Sequence, residues 1–198
     1  ISNSVSAASL AVGSGTFNAN GKNITVPVFS SIGTAGRTVN MGSGNWTLIG
    51  GGWDTSTTTN LTLDSDTSTI RITDTGANNK VFKGGGLTYN NLVITGGGNG
   101  PVVVEGNNTF NNFTIGAPKT VTFTSGTTQT ILGNFTAIGS PGNIITLNSS
   151  TAGSVANLSL GTGRVFADYL SIKDVSGLGV GWYAGGNSKY ALDNTVGS

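Results

Sequence analysis

The 198 residues carry nine Lys and Arg against eight Asp and Glu, a formal charge of +1 with 9% of residues charged, and no Cys or His. That balance leaves no electrostatic footprint for nucleic acid or an anionic membrane, and it removes disulfides, thiol nucleophiles, thiolate metal sites and the commonest general base. Thirty-three glycines, four prolines and abundant Thr, Ser and Asn mark short β-prone runs broken by turns, which predicts a single all-β domain over residues 1–198.

Residues 1–20 are irregular and read as an N-terminal cap or extension. They lack the basic start and long apolar run of a signal peptide, as expected of a processed chain or of a virion component released by lysis. No apolar run approaches the length of a membrane span, so no membrane insertion is expected.

From Asn23 onward an Asn followed by apolar, any, apolar recurs along the chain: Asn23-Ile-Thr-Val, Asn45-Trp-Thr-Leu, Asn60-Leu-Thr-Leu, Asn91-Leu-Val-Ile, Asn112-Phe-Thr-Ile, Asn134-Phe-Thr-Ala and Asn157-Leu-Ser-Leu. Tyr169-Leu-Ser-Ile is an eighth copy without the Asn. The spacings from Asn91 are 21, 22 and 23 residues, Asn23 to Asn45 is 22, and Asn45 to Asn91 is 46, or two periods; Asn60 is out of step. A period near 22 built from short strands fits one coil of a parallel β-helix.

A second strand track runs through Val102-Val-Val, Val121-Thr-Phe, Ile144-Ile-Thr-Leu and Val165-Phe. Alternation then points Leu92 and Ile94, Phe113 and Ile115, and Leu158 and Leu160 inward. Glycine clusters at 50–52, 84–86 and 96–98 and near Gly139 close the coils. The predicted fold is a right-handed parallel β-helix of about seven to eight coils, capped by residues 182–198, with an antiparallel jelly roll as the rival.

Asn side chains at equivalent turns can hydrogen-bond one another, so Asn23, Asn45, Asn60, Asn91, Asn112, Asn134 and Asn157 are expected to form a structural ladder. The sequons headed by Asn23, Asn45, Asn60, Asn107, Asn112, Asn134, Asn148 and Asn157 then arise as a by-product of the outward Thr or Ser. Those outward hydroxyls, Thr25, Thr47, Thr62, Thr114, Thr136, Ser159 and Ser171, would align in a column of the kind an ice or glycan surface could meet, although Thr suits exposed strands in any case.

Asp64 and Asp66 offer two oxygen ligands to calcium, but the run lacks the Gly and Glu of an EF-hand loop and reads as a solvated loop, with Asp74 near Arg71. Asp168 and Asp174 are the best catalytic carboxylate pair, yet along an extended run they stand about 20 Å apart, beyond glycosidase geometry. Trp46 occupies an inward position; Trp53, Trp182 and Tyr183 are the candidates for stacking on sugars, or else plugs of the coil ends. No cofactor, metal ligand set or catalytic residue is expected.

The order Lys80-Val-Phe-Lys-Gly-Gly-Gly-Leu-Thr-Tyr-Asn-Asn-Leu-Val-Ile94, then Asn108-Thr-Phe-Asn-Asn-Phe-Thr-Ile115, Asp168-Tyr-Leu-Ser-Ile-Lys-Asp174 and Trp182-Tyr-Ala-Gly-Gly-Asn187 resembles a group of β-helical repeat proteins of tailed-bacteriophage virions and microbial surfaces. The resemblance implies a non-enzymatic capsid decoration or fibre component at the virion surface. Its partners would be other virion proteins, copies of itself and host-surface glycans. The alternative is a bacterial or archaeal adhesin or extracellular filament subunit; a polysaccharide-active β-helix enzyme is the third class.

Overall fold

The computed structural model describes residues 4–96, 98, 100–179 and 181–190. They wind into a right-handed parallel β-helix of about eight turns without any helix. The paired strands all run parallel, as stacked coils require and a jelly roll does not allow.

Each coil has three sides, one more than the two strand tracks expected. Face I comprises Gly15–Asn18, Arg37–Asn40 and Leu61–Asp64, then, beyond a break in the ladder, the starts of Thr88–Ile94 and Thr109–Gly116, followed by Thr128–Ile131, Ala156–Leu160 and Val175–Leu178. Face II stacks Ser4–Ser6, the first halves of Asn23–Ser30 and Asn45–Asp54, Thr69–Ile72, the ends of Thr88–Ile94 and Thr109–Gly116, Phe135–Ile138 and Val165–Asp168. Face III stacks Leu10–Ala11, the ends of Asn23–Ser30 and Asn45–Asp54, Lys80–Lys83, Val102–Glu105, Lys119–Phe123, Ile145–Ser149, Leu170–Lys173 and Lys189–Tyr190.

Register explains both the success and the slip of the repeat. Ile24, Trp46, Ile70, Leu92, Phe113, Phe135 and Val165 are successive inward partners on face II, so Thr69-Ile-Arg-Ile is the copy missing between Asn45 and Asn91. The last step spans 30 residues rather than 22, because the turns at 139–144 and 150–155 are longer. Within that step Asn157-Leu-Ser-Leu falls on face I, and beyond it Tyr169-Leu-Ser-Ile leads onto face III, while Val165 belongs to face II and not to the second track.

Residues 4–18 are regular, with the strands Ser4–Ser6, Leu10–Ala11 and Gly15–Asn18. Their three strands pair with the next coil on each face. At the other end, residues 181–190 close the core, and 191–198 of the expected cap lie outside the described residues.

The core is a column of inward side chains dominated by rings. Phe17, Trp46, Phe29, Trp53, Phe82, Tyr89, Phe110, Phe113, Phe135 and Trp182 form an unbroken contact path, with centroids 4.1 to 6.3 Å apart. Ring pairs of this kind contribute about 0.5–1.5 kcal/mol each beyond their buried area. At the corner between faces II and III, Gly52 has φ 132° and lies so close to the strand above that a Cβ would meet the Val81 carbonyl oxygen at 2.0 Å. The glycine cluster there is a packing requirement of the stack.

Candidate functional site

On face II the Asn ladder runs in two stretches, Asn23 to Asn45 and Thr69 to Arg164. Asn45 N and Nδ2 donate to Asn23 Oδ1 at 2.9 and 3.5 Å, and Thr69 stands next in register. Asn91 Nδ2 donates to Thr69 Oγ1 at 3.2 Å, Asn112 Nδ2 to Asn91 Oδ1 at 2.9 Å, Asn134 N to Asn112 Oδ1 at 2.9 Å, and Arg164 N to Asn134 Oδ1 at 3.0 Å.

Two expected members are elsewhere. Asn60 has φ 56° and its Nδ2 donates to the Thr34 carbonyl at 2.8 Å, which makes it a turn residue at the entry to face I. Asn157 is on face I, between Thr128 and Ser176, because the long coil shifts the repeat by one side.

A second polar stack, at the corner of faces III and I, is buried and was not anticipated. Asn108 Nδ2 donates to Gln129 Oε1 at 2.9 Å and to the Glu105 carbonyl at 3.0 Å, and Asn108 Oδ1 accepts from Gly86 N at 3.2 Å. Gln129 Nε2 donates to the Gly106 carbonyl at 2.7 Å. The signal available was Asn and Gln at inward strand parity, where apolar residues otherwise stand.

Three cations point into the interior. Arg37, 2% exposed, donates from Nε to Ser31 Oγ at 3.0 Å and from its terminal nitrogens to the carbonyls of Ser31, Ala35, Thr57 and Thr59. Lys80, 1% exposed, donates to the Gly76 carbonyl and pairs with Asp74 at 3.1 Å. Lys119 donates to the Gly98 carbonyl at 3.1 Å, and burial, with the Lys80 charge nearby, holds its ammonium below the usual lysine range. Arg37 and Lys119 tie turns of neighbouring coils together and Lys80 holds the turn leading into its own strand; charged heads reach polar turns while their stems lie along the core.

The acidic residues are similarly engaged. Asp54 Oδ1 accepts from Ser56 N and Oγ, Asp64 Oδ1 from Asp66 N, and Asp74 Oδ1 from Gly76 N. The Gly76 amide, with Lys80 behind it, holds the Asp74 carboxyl below the ordinary carboxylate range; its partner is Lys80, not Arg71. Asp168 accepts from the backbone amides of Tyr169 and Asn187 at 2.9 and 3.0 Å and from Asn187 Nδ2 at 2.9 Å, and that side-chain amide is the main reason its carboxyl is also lowered.

Asp174 is 2% exposed and Oδ2 accepts from Gly153 N at 3.0 Å, whereas Oδ1 and Ser149 Oγ are buried without a protein partner. Asp168 and Asp174 flank opposite ends of Leu170–Lys173, so they do not converge on one substrate bond. Asp64 and Asp66 line an open polar depression with Asn18, Asn20, Asn40 and Ser43. Among the described residues no group of three or more acidic side chains gathers around one point.

The sugar-stacking candidates separate. Trp53 is 1% exposed in the aromatic column, and its Nε1 donates to Thr55 Oγ1 and Tyr89 Oη at 3.1 and 3.3 Å, which corrects its reading as a surface residue. Its inward parity on a strand running through the glycine triplet was hidden by that triplet. Trp182 is half-buried at the end of the core, 5.3 Å from Phe135, with Nε1 bonded to the Leu178 carbonyl at 2.8 Å. Tyr183 is 70% exposed.

The expected hydroxyl column is interrupted and divided. On face II, Arg71 and Val93 separate Thr25 and Thr47 from Thr114 and Thr136, with Phe166 following. Thr62 and Ser159 are on face I and Ser171 is on face III. No protein-family model, curated protein or solved structure matches this chain.

Proposed function

We propose that this chain is a non-enzymatic structural module of a surface assembly, a capsid decoration or fibre component of a bacteriophage virion that meets copies of itself, other virion proteins and host-surface glycans through its outer faces. One observation carries the non-enzymatic part. Asp54, Asp64, Asp74, Asp168 and Asp174 each accept a backbone amide of their own or a neighbouring turn, and the interior cations hold backbone carbonyls. Acid–base work needs carboxylates free to approach a substrate, whereas Asp54, Asp64 and Asp74 close their own turns and Asp168 and Asp174 bond segments of neighbouring coils.

The virion assignment rests on the sequence resemblance, above all on residues 182–187, and low charge with outward Thr and Asn suits a surface exposed to solvent on every side. Immunogold labelling with an antibody to the folded domain tests it. Gold on purified virions supports the reading; gold confined to filaments or envelope of uninfected cells moves the protein to the adhesin class.

A further inference from the structure

Face I has an open strand edge in the middle of the stack. Leu61–Asp64 pairs with Arg37–Asn40 of the preceding coil, and among the described residues no strand pairs with its other side, although the chain is described without interruption from there to Thr88–Ile94 of the following coil. The cause is a change of cross-section. In the wider coils a turn separates face I from face II, from Asn18 to Asn23, Asn40 to Asn45 and Asp64 to Thr69, whereas Thr88–Ile94 and Thr109–Gly116 run through that corner as single strands.

The two coils touch on either side of this step. A Cβ on Gly85 would meet the Thr55 carbonyl oxygen at 2.3 Å, and Asn90 Nδ2 and Asn91 N donate to the Ser68 carbonyl at 3.3 and 3.2 Å. Between those contacts residues 56–67 of the wider coil stand against only 86–90 of the narrower one, so Leu61–Asp64 bows outward as a ledge. Its inward Leu61 and Leu63 are half-buried, whereas Val39, the register partner of Leu63, is fully buried.

The ledge presents backbone groups as well as side chains. Arg37 N donates to the Asn60 carbonyl and Met41 N to the Asp64 carbonyl, so the ladder with the preceding coil runs through Asn60, Thr62 and Asp64. Alternate residues of a strand bond to opposite sides, and Leu61 N is taken by the Thr58 carbonyl at 3.0 Å. The Leu61 carbonyl and both backbone groups of Leu63 therefore face the open edge, which is a template for another chain. Asp64 and Asp66 stand exposed at its C-terminal end, and among the described residues the one ion pair is Lys80 with Asp74, so neither has a cation partner.

We infer that Leu61–Asp64 is an acceptor for an extended peptide arm of a partner protein, added as a parallel strand with apolar residues beside Leu61 and Leu63 and a Lys or Arg beside Asp64. Strand addition takes its affinity from main-chain bonds and its specificity from alternate side chains, and the two unpaired carboxylates select the basic end by charge. In this solenoid the outward residues bond back to the preceding coil, as Thr69 N does to the Gly44 carbonyl and Thr109 N to the Leu87 carbonyl. The outward residues of the arm are thus the ones that meet Leu61 and Leu63. The inference concerns this edge alone and holds whichever assembly carries the protein.

Backbone amide shifts of the isotope-labelled full chain test it, with the dispersed spectrum of the free protein as the fold control. The probe is the capped peptide acetyl-Thr-Val-Thr-Val-Lys-amide, titrated to millimolar concentration. It should shift the signals of Leu61 to Asp64 and of Thr88 saturably. N-methylation of its central Thr and its Lys, whose amides meet the edge, should abolish those shifts, while N-methylation of its two Val should leave them. Asp64→Asn with Asp66→Asn keeps the turn-closing oxygen and should weaken binding about two- to fivefold, the worth of an exposed ion pair. Absence of saturable shifts at the ledge would overturn the inference. So would equal binding of the two methylated peptides, which would mark adhesion to the leucines without strand pairing.

Discussion

The side-chain amide of Asn112 donates to the side-chain oxygen of Asn91, 21 residues earlier in sequence and one coil away in space, at 2.9 Å. Asn112 Oδ1 in turn accepts the backbone amide of Asn134 at 2.9 Å, so a single side chain joins three coils. Asn112→Ala should therefore lower unfolding free energy by about 1–2 kcal/mol, the worth of one part-buried and one exposed hydrogen bond. Asn157→Ala, which alters an outward face I position, should change it by less than about 0.5 kcal/mol. Urea unfolding of the two variants compares them directly.

Arg37 is a larger test of the same idea, because its guanidinium satisfies carbonyls from the turns that lead into face I in its own coil and in the next. Arg37→Met keeps the stem and removes every donor, leaving buried acceptors unpaired at a cost of about 3 kcal/mol or more. Arg37→Lys should recover part of that loss, since one ammonium cannot reach all the same carbonyls. A midpoint for Arg37→Met equal to wild type would show the cage to be dispensable.

Acid stability has a defined direction. Asp74 and Asp168 have carboxyls held below 3.8, so the stability they supply is present above that value and disappears as pH falls through their lower folded values. With no His in the chain, no side chain at its ordinary pKa titrates between pH 5 and 8. The urea midpoint should be flat across that interval and fall below about pH 4. A midpoint that drops between pH 8 and 5 would contradict this assignment.

Much of the fold was legible because apolar residues alternate behind each Asn: Leu92 and Ile94, or Phe113 and Ile115, sit inward in register as their spacing implies. What hid the rest is specific. Face I carries Gln129 at an inward position and Arg37 at another, so its strands do not read as apolar alternation and the third side went unseen. Thr69 stands in place of an Asn and accepts from Asn91, whereas the longer turns before Val165 preserve a plausible period while moving Asn157 to another side. The structural roles of the carboxylates depend on backbone amides, which sequence spacing does not display.

A cysteine-free chain permits a direct check of that side assignment. Thr130 and Ser159 are register partners on face I, so Thr130→Cys with Ser159→Cys should form a disulfide on mild oxidation. Thr136 and Ser159 are partners in the simple 23-residue repeat but lie on different faces, with Thr136 opposite Phe166, and that cysteine pair should remain reduced. Mass analysis under non-reducing conditions distinguishes the two.

The claim that the carboxylates serve the turns and coils of the solenoid and not a substrate is tested most directly by turnover. Purified protein incubated with a broad polysaccharide panel should release no reducing ends above the background of buffer alone. Release that disappears on replacing Asp168 or Asp174 singly by Asn, with an unchanged circular dichroism spectrum, would contradict the account.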